Sequence, residues 1–526
     1  MTRPDGASTS FWTPSSASDE AFAVGVLAVI TAATAWFWAA NALQNANFLE
    51  GDALAPFSVF DQFYHHESVD LSRQSWLLPW TLANVLRLYK STISYHSLFG
   101  AYAVATALAS GLTVPVVYVL ARRFVGPLEA VLPALFLALN TSFGLHALYP
   151  NPTQFYALAF TLSLLAFADR RVWLALLFAG IGMMIRIEGA LLVLLIGAWS
   201  TWRRDWRPLA AACAAILAML AIQTLGSATP FGFLINTQAA KPVGALLNDQ
   251  SVDRLQAIVG ALNWKFEKLH AIALNLTMPG LMLAAIGGWL AVRDRPTLGL
   301  APLYLLAYEA VMLVYTLAVP IGNIVNPGFS TVLSVGPVDR YYEILSPIAS
   351  VFVYLGLRAI TEAMLPWVRS AIIAILFALY GLHQLVTFSN TFAATDQHFA
   401  DGTVVSDAIK VSEYFRHENV RSQDIVLARE TPRGLQYVNV IPANGGTYQF
   451  HVFHLAILSG HNRVNCTGDN LDNPNLFCSV LQGNKAVKLT PSIRWLVLQK
   501  PVNRQEIPAR FRPVHETKTF AIFNRP

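Results

Sequence analysis

Residues Ala21–Leu43 read AFAVGVLAVITAATAWFWAANAL, and just beyond them Phe48–Glu67 read FLEGDALAPFSVFDQFYHHE. The first run carries no charge and is long enough, as a helix, to cross a hydrocarbon core about 30 Å thick. The second gathers Glu50, Asp52, Asp61, His65, His66 and Glu67 at the end of that run. Ionisable groups are costly at a membrane boundary, so such a gathering marks a place where something charged or reactive is handled.

The rest of the chain repeats the first pattern. Of its 526 residues, 55% are hydrophobic and 13% charged, against about 25% charged in an ordinary soluble domain. A soluble protein of this size could not hide that much apolar surface, and the fold class is a polytopic α-helical membrane protein. Runs of roughly 17 or more mostly apolar residues fall at Ala21–Leu43, Ser97–Leu120, Leu128–Phe143 and Thr153–Ala168. A short pair follows, Val172–Ile185 and Ala190–Trp202, broken by Arg186-Ile187-Glu188-Gly189. Leu209–Leu225, Ala271–Val292, Leu298–Ala318, Ile344–Leu357 and Ser370–Val386 complete about eleven spans.

Basic clusters alternate with these spans. Arg122-Arg123, Arg170-Arg171, Arg203–Arg207, Arg293–Arg295 and Arg358–Arg369 follow every second span. The positive-inside rule places them in the cytoplasm, with residues 1–20 as a cytoplasmic tail lacking a basic n-region and a cleavage site. The expected location is the cytoplasmic membrane. The transmembrane part then covers 21–389, with outer loops 44–95 and 226–270 that include amphipathic pieces at Trp76–Tyr89 and Val252–Leu269. The net charge of +5 belongs to the inner loops; no basic patch interleaved with aromatics points to nucleic acid. Residues 390–526 turn polar, with a helix expected at Val404–His417 and strands at Ile425–Ala428, Ile493–Leu498 and Phe520–Phe523. They read as a small extracytoplasmic α/β domain, large enough for its own core. Of three cysteines, Cys213 is expected as a small packed side chain in a span. Cys466 and Cys478 pair only if their compartment is oxidising.

Three stretches could carry chemistry. In Glu50-Gly51-Asp52 two carboxylates flank a glycine that lets the chain turn. Such a pair can act as a general base or hold a divalent cation; the alternative is a solvated pair at a helix end. No cofactor is required by this pattern, and the histidines His65 and His66 lack the HExxH spacing of a metal site. Arg186 and Glu188 lie between two short apolar runs, where an arginine suits a phosphate bound by its planar fork; a structural pair stabilising a tight turn is the alternative. Asp339-Arg340-Tyr341-Tyr342 offers another cation beside aromatic faces, or an ordinary interfacial anchor. Lys241, in the second long outer loop, is a further candidate cation, and Asp61 competes with Asp52 as a base. Topology puts all of these at one face. A carboxylate and two arginines supply what transfer of a sugar from a lipid phosphate needs: a base for the acceptor hydroxyl and positive charge for the departing phosphate.

The ordered set of motifs resembles the GT-C superfamily of polyprenyl-phosphate-sugar-dependent glycosyltransferases, which includes protein O-mannosyltransferases and the aminoarabinose transferases of lipid A. Glu50-Gly51-Asp52 is similar to the family's acidic motif in the first outer loop. Val117–Ser142, VYVLARRFVGPLEAVLPALFLALNTS, is similar to its L-A-R-x-x-G segment and following helix. Ile185–Leu195, IRIEGALLVLL, resembles its short-helix pair; Asp339-Arg340-Tyr341 with ILSP resembles its R-Y-x-x-x-x-P stretch; FAIFNRP resembles the closing strand of its outer domain. The resemblance implies Asp52 as base, Glu50 as its neighbour or a metal ligand, and Arg186 and Arg340 on the donor phosphate. It implies an inverting transfer from a polyprenyl-phosphate-linked sugar to a glycan, glycolipid or protein acceptor. A lipid-linked-sugar transporter or flippase would instead place ionisable groups at mid-membrane in related halves. A non-catalytic envelope-assembly protein would use the outer domain as a binding module.

Overall fold

The structure is a computed structural model. It describes residues 16–44, 59–60, 63–64, 76–88, 95–148, 151–202, 204–225, 278–308, 310 and 343–399, and in the C-terminal part 410–411, 414–415, 417–418, 425–431, 434–439, 494–499, 507, 509–518 and 520–525. The helices among them are α1 (Ala17–Gln44), α2 (Leu77–Leu88), α3 (Tyr95–Ala121), α4 (Pro127–Leu139), α5 (Thr141–Leu145), α6 (Pro152–Ala168), α7 (Val172–Ile185), α8 (Gly189–Trp202), α9 (Arg207–Leu225) and α10 (Met278–Asp294). They continue with α11 (Pro296–Tyr308), whose first turn is a 3-10 helix, α12 (Ser346–Thr361) and α13 (Pro366–Phe399).

Local sequence explains where these helices start. Ser16 accepts from the Asp19 amide at 3.1 Å to open α1. Pro127 and Pro152 occupy first-turn positions, where a missing N–H costs nothing. Asn140 adopts an extended backbone and accepts from the Phe143 amide, so the expected span Leu128–Phe143 is broken into α4 and α5. This cap is the reason for that correction. The last span was also expected too short. With neither proline nor glycine after Gly381, α13 runs through Phe399, past the expected domain boundary at 390.

Ala17–Ala42, Gly100–Ala121, Arg207–Leu225 and Pro366–Ser389 are long and apolar enough to cross a membrane. Shorter apolar helices pack among them, and many large apolar side chains point outward from α1, α9, α10 and α13. The protein is thus a polytopic helical membrane protein. Helix α3 is central, contacting α1, α4, α6 and α12, while α6, α7, α8 and α9 pack in sequence. Cys213 is exposed rather than packed, because α9 buries only the face bearing Pro208, Ala212, Met219 and Gln223.

The basic loops meet at one end of the bundle. Arg123 donates to Asp169 at 2.7 Å, Arg295 to the Arg123 carbonyl at 3.2 Å, and Arg122 to Glu20 at 2.9 Å. Arg358 and Arg369 both approach Glu129, at 3.5 and 3.7 Å. The segments after the second, fourth, eighth and tenth expected spans are therefore brought together, as the alternation requires.

The C-terminal residues form a five-stranded sheet from β1 (Ile425–Thr431), β2 (Gly434–Asn439), β3 (Trp495–Gln499), β4 (Arg512–Glu516) and β5 (Phe520–Asn524), in the order β2-β1-β3-β5-β4. β1 and β3 are parallel and the other pairs antiparallel. The central β3 and β5 are the buried, apolar strands that the sequence announces. β4 is an exposed edge strand with Pro513 and a bulge, which is where a sheet tolerates proline. The expected helix Val252–Leu269 and the pair Cys466 and Cys478 lie outside the described residues.

Helices α10 and α12 approach each other backbone to backbone. A Cβ on Gly356 would fall inside the Leu283 carbonyl, and one on Gly287 inside the Phe352 carbonyl. Neither neighbour is a side chain that could swing away. Gly356→Leu should therefore lower stability by about 3 kcal/mol, read as a fall in the thermal unfolding midpoint of the detergent-purified protein, with Gly356→Ala in between.

Candidate functional site

The end of the bundle opposite the basic loops is organised by the first turn of α6. Asn151 caps it by accepting from the Thr153 amide at 2.9 Å. Thr153 and Gln154 are fully buried and reach in different directions. The Thr153 hydroxyl accepts from Arg186 Nη1 at 2.8 Å. Gln154 donates to the Phe143 carbonyl of α5 at 2.6 Å and accepts from Ser110 of α3 at 3.2 Å.

Arg186 sits at the break between α7 and α8. Its amide closes α7 by donating to Gly182 O at 2.8 Å, and its carbonyl accepts from the Gly189 amide at 2.9 Å. Gly189 is required there: a Cβ would lie 2.5 Å from the Met183 nitrogen. The guanidinium donates to the two Glu188 oxygens at 2.7 and 3.4 Å. The structural pair stabilising a tight turn, one of the two readings of this stretch, is therefore present. α7 and α8 have 14 residues each, which rise about 21 Å. That falls short of a hydrocarbon core of about 30 Å, and the turn is recessed. Under the Arg186–Glu188 pair, Tyr156 and Tyr304 join hydroxyls at 2.9 Å.

A second polar group shares the same first turn of α6 through Phe143. Glu343, fully buried just before α12, accepts a short hydrogen bond from Ser142 and lies 3.5 Å from His146 Nε2. Thr141 bonds Gln384 of α13 twice, at 2.9 and 2.8 Å. Sequence reasoning passed over Asn140, Ser142, His146, Thr153, Gln154 and Glu343. The visible signals were two Asn-led helix starts, Asn140-Thr141-Ser142 and Asn151-Pro152-Thr153, and two titratable residues flanking apolar runs.

Of the expected site residues, the structure brings Arg186 and Glu188 together. Glu50, Asp52, Asp61, His65, His66, Lys241, Arg340 and Tyr341 lie outside the described residues. Two neighbours of Asp61 do fall within them: Phe60 is fully buried against Tyr102 of α3, ring centroids 5.4 Å apart, and Tyr64 is 6.2 Å from Phe60. Tyr102 lies toward the start of α3, away from the basic end. Among the described residues no group of three or more His, Cys, Asp or Glu is placed to hold a metal ion.

This bundle overlays on the apo oligosaccharyltransferase of Archaeoglobus fulgidus over 92% of its own length and 70% of that chain, with 13% identity and a TM-score of 0.50. The chain therefore shares the fold of that oligosaccharyltransferase. Looser overlays relate it to ArnT from Cupriavidus metallidurans bound to undecaprenyl phosphate (13% identity, 96% of this chain and 98% of that one, TM-score 0.46). Another is AglB from Archaeoglobus fulgidus in complex with an inhibitory peptide and a dolichol-phosphate (14% identity, 92% and 70%, TM-score 0.44). No protein-family model and no curated protein sequence matches the chain.

Glu188 and Arg186 hold each other at this turn, so Glu188→Gln should cost about 1–3 kcal/mol, read as a fall in the unfolding midpoint of the detergent-purified protein.

Proposed function

We propose that the protein is an inverting glycosyltransferase that moves a sugar from a polyprenyl-phosphate donor to a hydroxyl acceptor at the membrane face opposite its basic loops. The observation that carries this reading is the Arg186 guanidinium, recessed in the bundle and directed at the N-terminal turn of α6, within a GT-C fold. A helix N-terminus and an arginine fork both favour a phosphate. The anchoring of Phe60 on Tyr102 supports placing the acidic first loop at the same end.

The donor enters sideways from the lipid. Asp52 takes the proton of the acceptor hydroxyl, whose oxygen attacks the anomeric carbon in line, opposite the phosphate. The bond from that carbon to the phosphate oxygen breaks, and the configuration inverts. Arg186 and Arg340, with Lys241 beyond them, hold the negative charge of the departing lipid phosphate. Glu188 keeps the Arg186 fork aimed. Tyr341 gives the sugar an aromatic face, Glu50 raises the basicity of Asp52, and Asp61, His65 and His66 serve in substrate binding. In this reading the basic loops are cytoplasmic, with the N-terminus, and the C-terminal sheet is extracytoplasmic.

Loss of one stabilising cation costs on the order of 10²–10³ in rate. Arg186→Ala and Arg340→Ala should each fall by that factor in transfer of label from a polyprenyl-phosphate sugar to extracted envelope acceptors. Asp52→Asn should abolish transfer; wild-type rates in that variant would remove Asp52 from the chemistry.

A further inference from the structure

Two successive helix ends at the basic face are built alike. α6 closes with Arg170 donating to Phe167 O at 2.9 Å and Arg171 to Ala166 O at 2.9 Å. α8 closes with Arg204 donating to Thr201 O at 2.8 Å and Asp205 to Ser200 O at 3.2 Å. This paired pattern requires a left-handed residue one place beyond the cap, a place that strongly favours glycine. Here it is arginine both times, with φ of 61° at Arg170 and 65° at Arg204. Each is a strained backbone that a β-carbon makes costly. Phe167 and Trp199, one on each closing turn, meet edge to face at 6.1 Å and bring the two ends side by side.

The acidic neighbours are engaged elsewhere: Asp169 pairs with Arg123, and Asp205 accepts from the Arg207 amide at 3.2 Å. Arg170, Arg171, Arg204 and Arg207 are exposed, and among the described residues none of them has a carboxylate partner. This sets them apart from Arg122, Arg123, Arg358 and Arg369, which form ion pairs at the same end. Around the four stand the exposed indoles of Trp173, Trp202 and Trp206, the last two 92% and 66% accessible. Indoles settle at the headgroup level of a bilayer. Four exposed guanidinium groups at that level, with no carboxylate partner among the described residues, suit an anionic lipid of the same membrane.

We propose that the paired ends of α6 and α8 form a binding site for an acidic phospholipid, with a headgroup carrying two phosphates bridging Arg170/Arg171 and Arg204/Arg207. Each arginine near an anionic lipid surface is worth about fivefold in affinity, so removing two should weaken binding roughly 30-fold. The double variant Arg170→Gly/Arg204→Gly is a sharp test, because glycine suits both backbone positions and removes only the side chains. Purified full-length protein in detergent is titrated with diphosphatidylglycerol, and separately with phosphatidylcholine, and bound lipid is read by native mass spectrometry. Wild type should prefer the acidic lipid. The double glycine variant should lose that preference roughly 30-fold with its unfolding midpoint at or above wild type, and Arg171→Gln/Arg207→Gln should weaken it as well. Wild type that takes both lipids equally overturns the site. So does a double glycine variant that retains the acidic lipid as wild type does.

Discussion

A helix in hydrocarbon satisfies its own backbone but has nowhere to put charge, and this constraint arranges the whole bundle. In the helix interiors, buried hydroxyls turn back onto carbonyls one turn away: Thr106 to Tyr102, Thr113 to Ala109, Thr161 to Ala157. Among the described residues of the bundle, the paired arginines and carboxylates sit at helix ends. At one end they tie loops together, with Arg123 and Asp169 largely sealed from solvent on α3 and α6. Such a pair adds little net energy, since desolvation offsets attraction, but losing one partner would strand the other. Its effect is to fix which helix ends meet.

At the opposite end the same constraint produces a different object. The Arg186 side chain is recessed by the shortness of α7 and α8, so its guanidinium must find oxygen partners nearby. It finds the Glu188 carboxylate and the Thr153 hydroxyl, and thereby clamps the α7–α8 turn to the start of α6. Gln154, next in sequence, clamps that same start to α5, where Ser142 and His146 gather around Glu343. Two polar groups from four helices thus depend on one turn of helix whose geometry Asn151 and Pro152 set.

How much of this was legible follows from which signals were strong. Long apolar runs are set by membrane thickness, so Val172–Ile185 emerges with the boundaries expected for it. Helix ends decided by a single side chain were not legible: the Asn140 cap that splits a span lies within a run of apolar character. Cys213 went wrong for a related reason. Hydropathy shows that α9 is apolar all round, but not which face finds a neighbour and which faces lipid. In the sheet, apolar β3 and β5 were visible, whereas edge strand β4, with its proline and bulge, carries little strand signal. In the candidate site, Arg186 and Glu188 stood out because charge interrupts an apolar pattern. Glu343 did not, since it lies beside the polar Asp339–Tyr342 stretch, and only tertiary structure joins it to Ser142.

The distribution of charge also weighs between a transferase and a transporter. A transporter binds cargo near mid-membrane and exposes it alternately to either side, which calls for ionisable or unwound elements there. Among the described residues, the middle of α3 and α6 is filled by alanine, aromatic rings and self-satisfied hydroxyls. Glycine-to-carbonyl contacts pack α10 tightly on α12. In the proposed reading, a polar group gathered at one face serves chemistry on a lipid-borne substrate, which needs no passage through the protein. In that reading Glu188 and Thr153 hold the Arg186 fork in advance, so that it stabilises a departing phosphate without reorganising when charge develops.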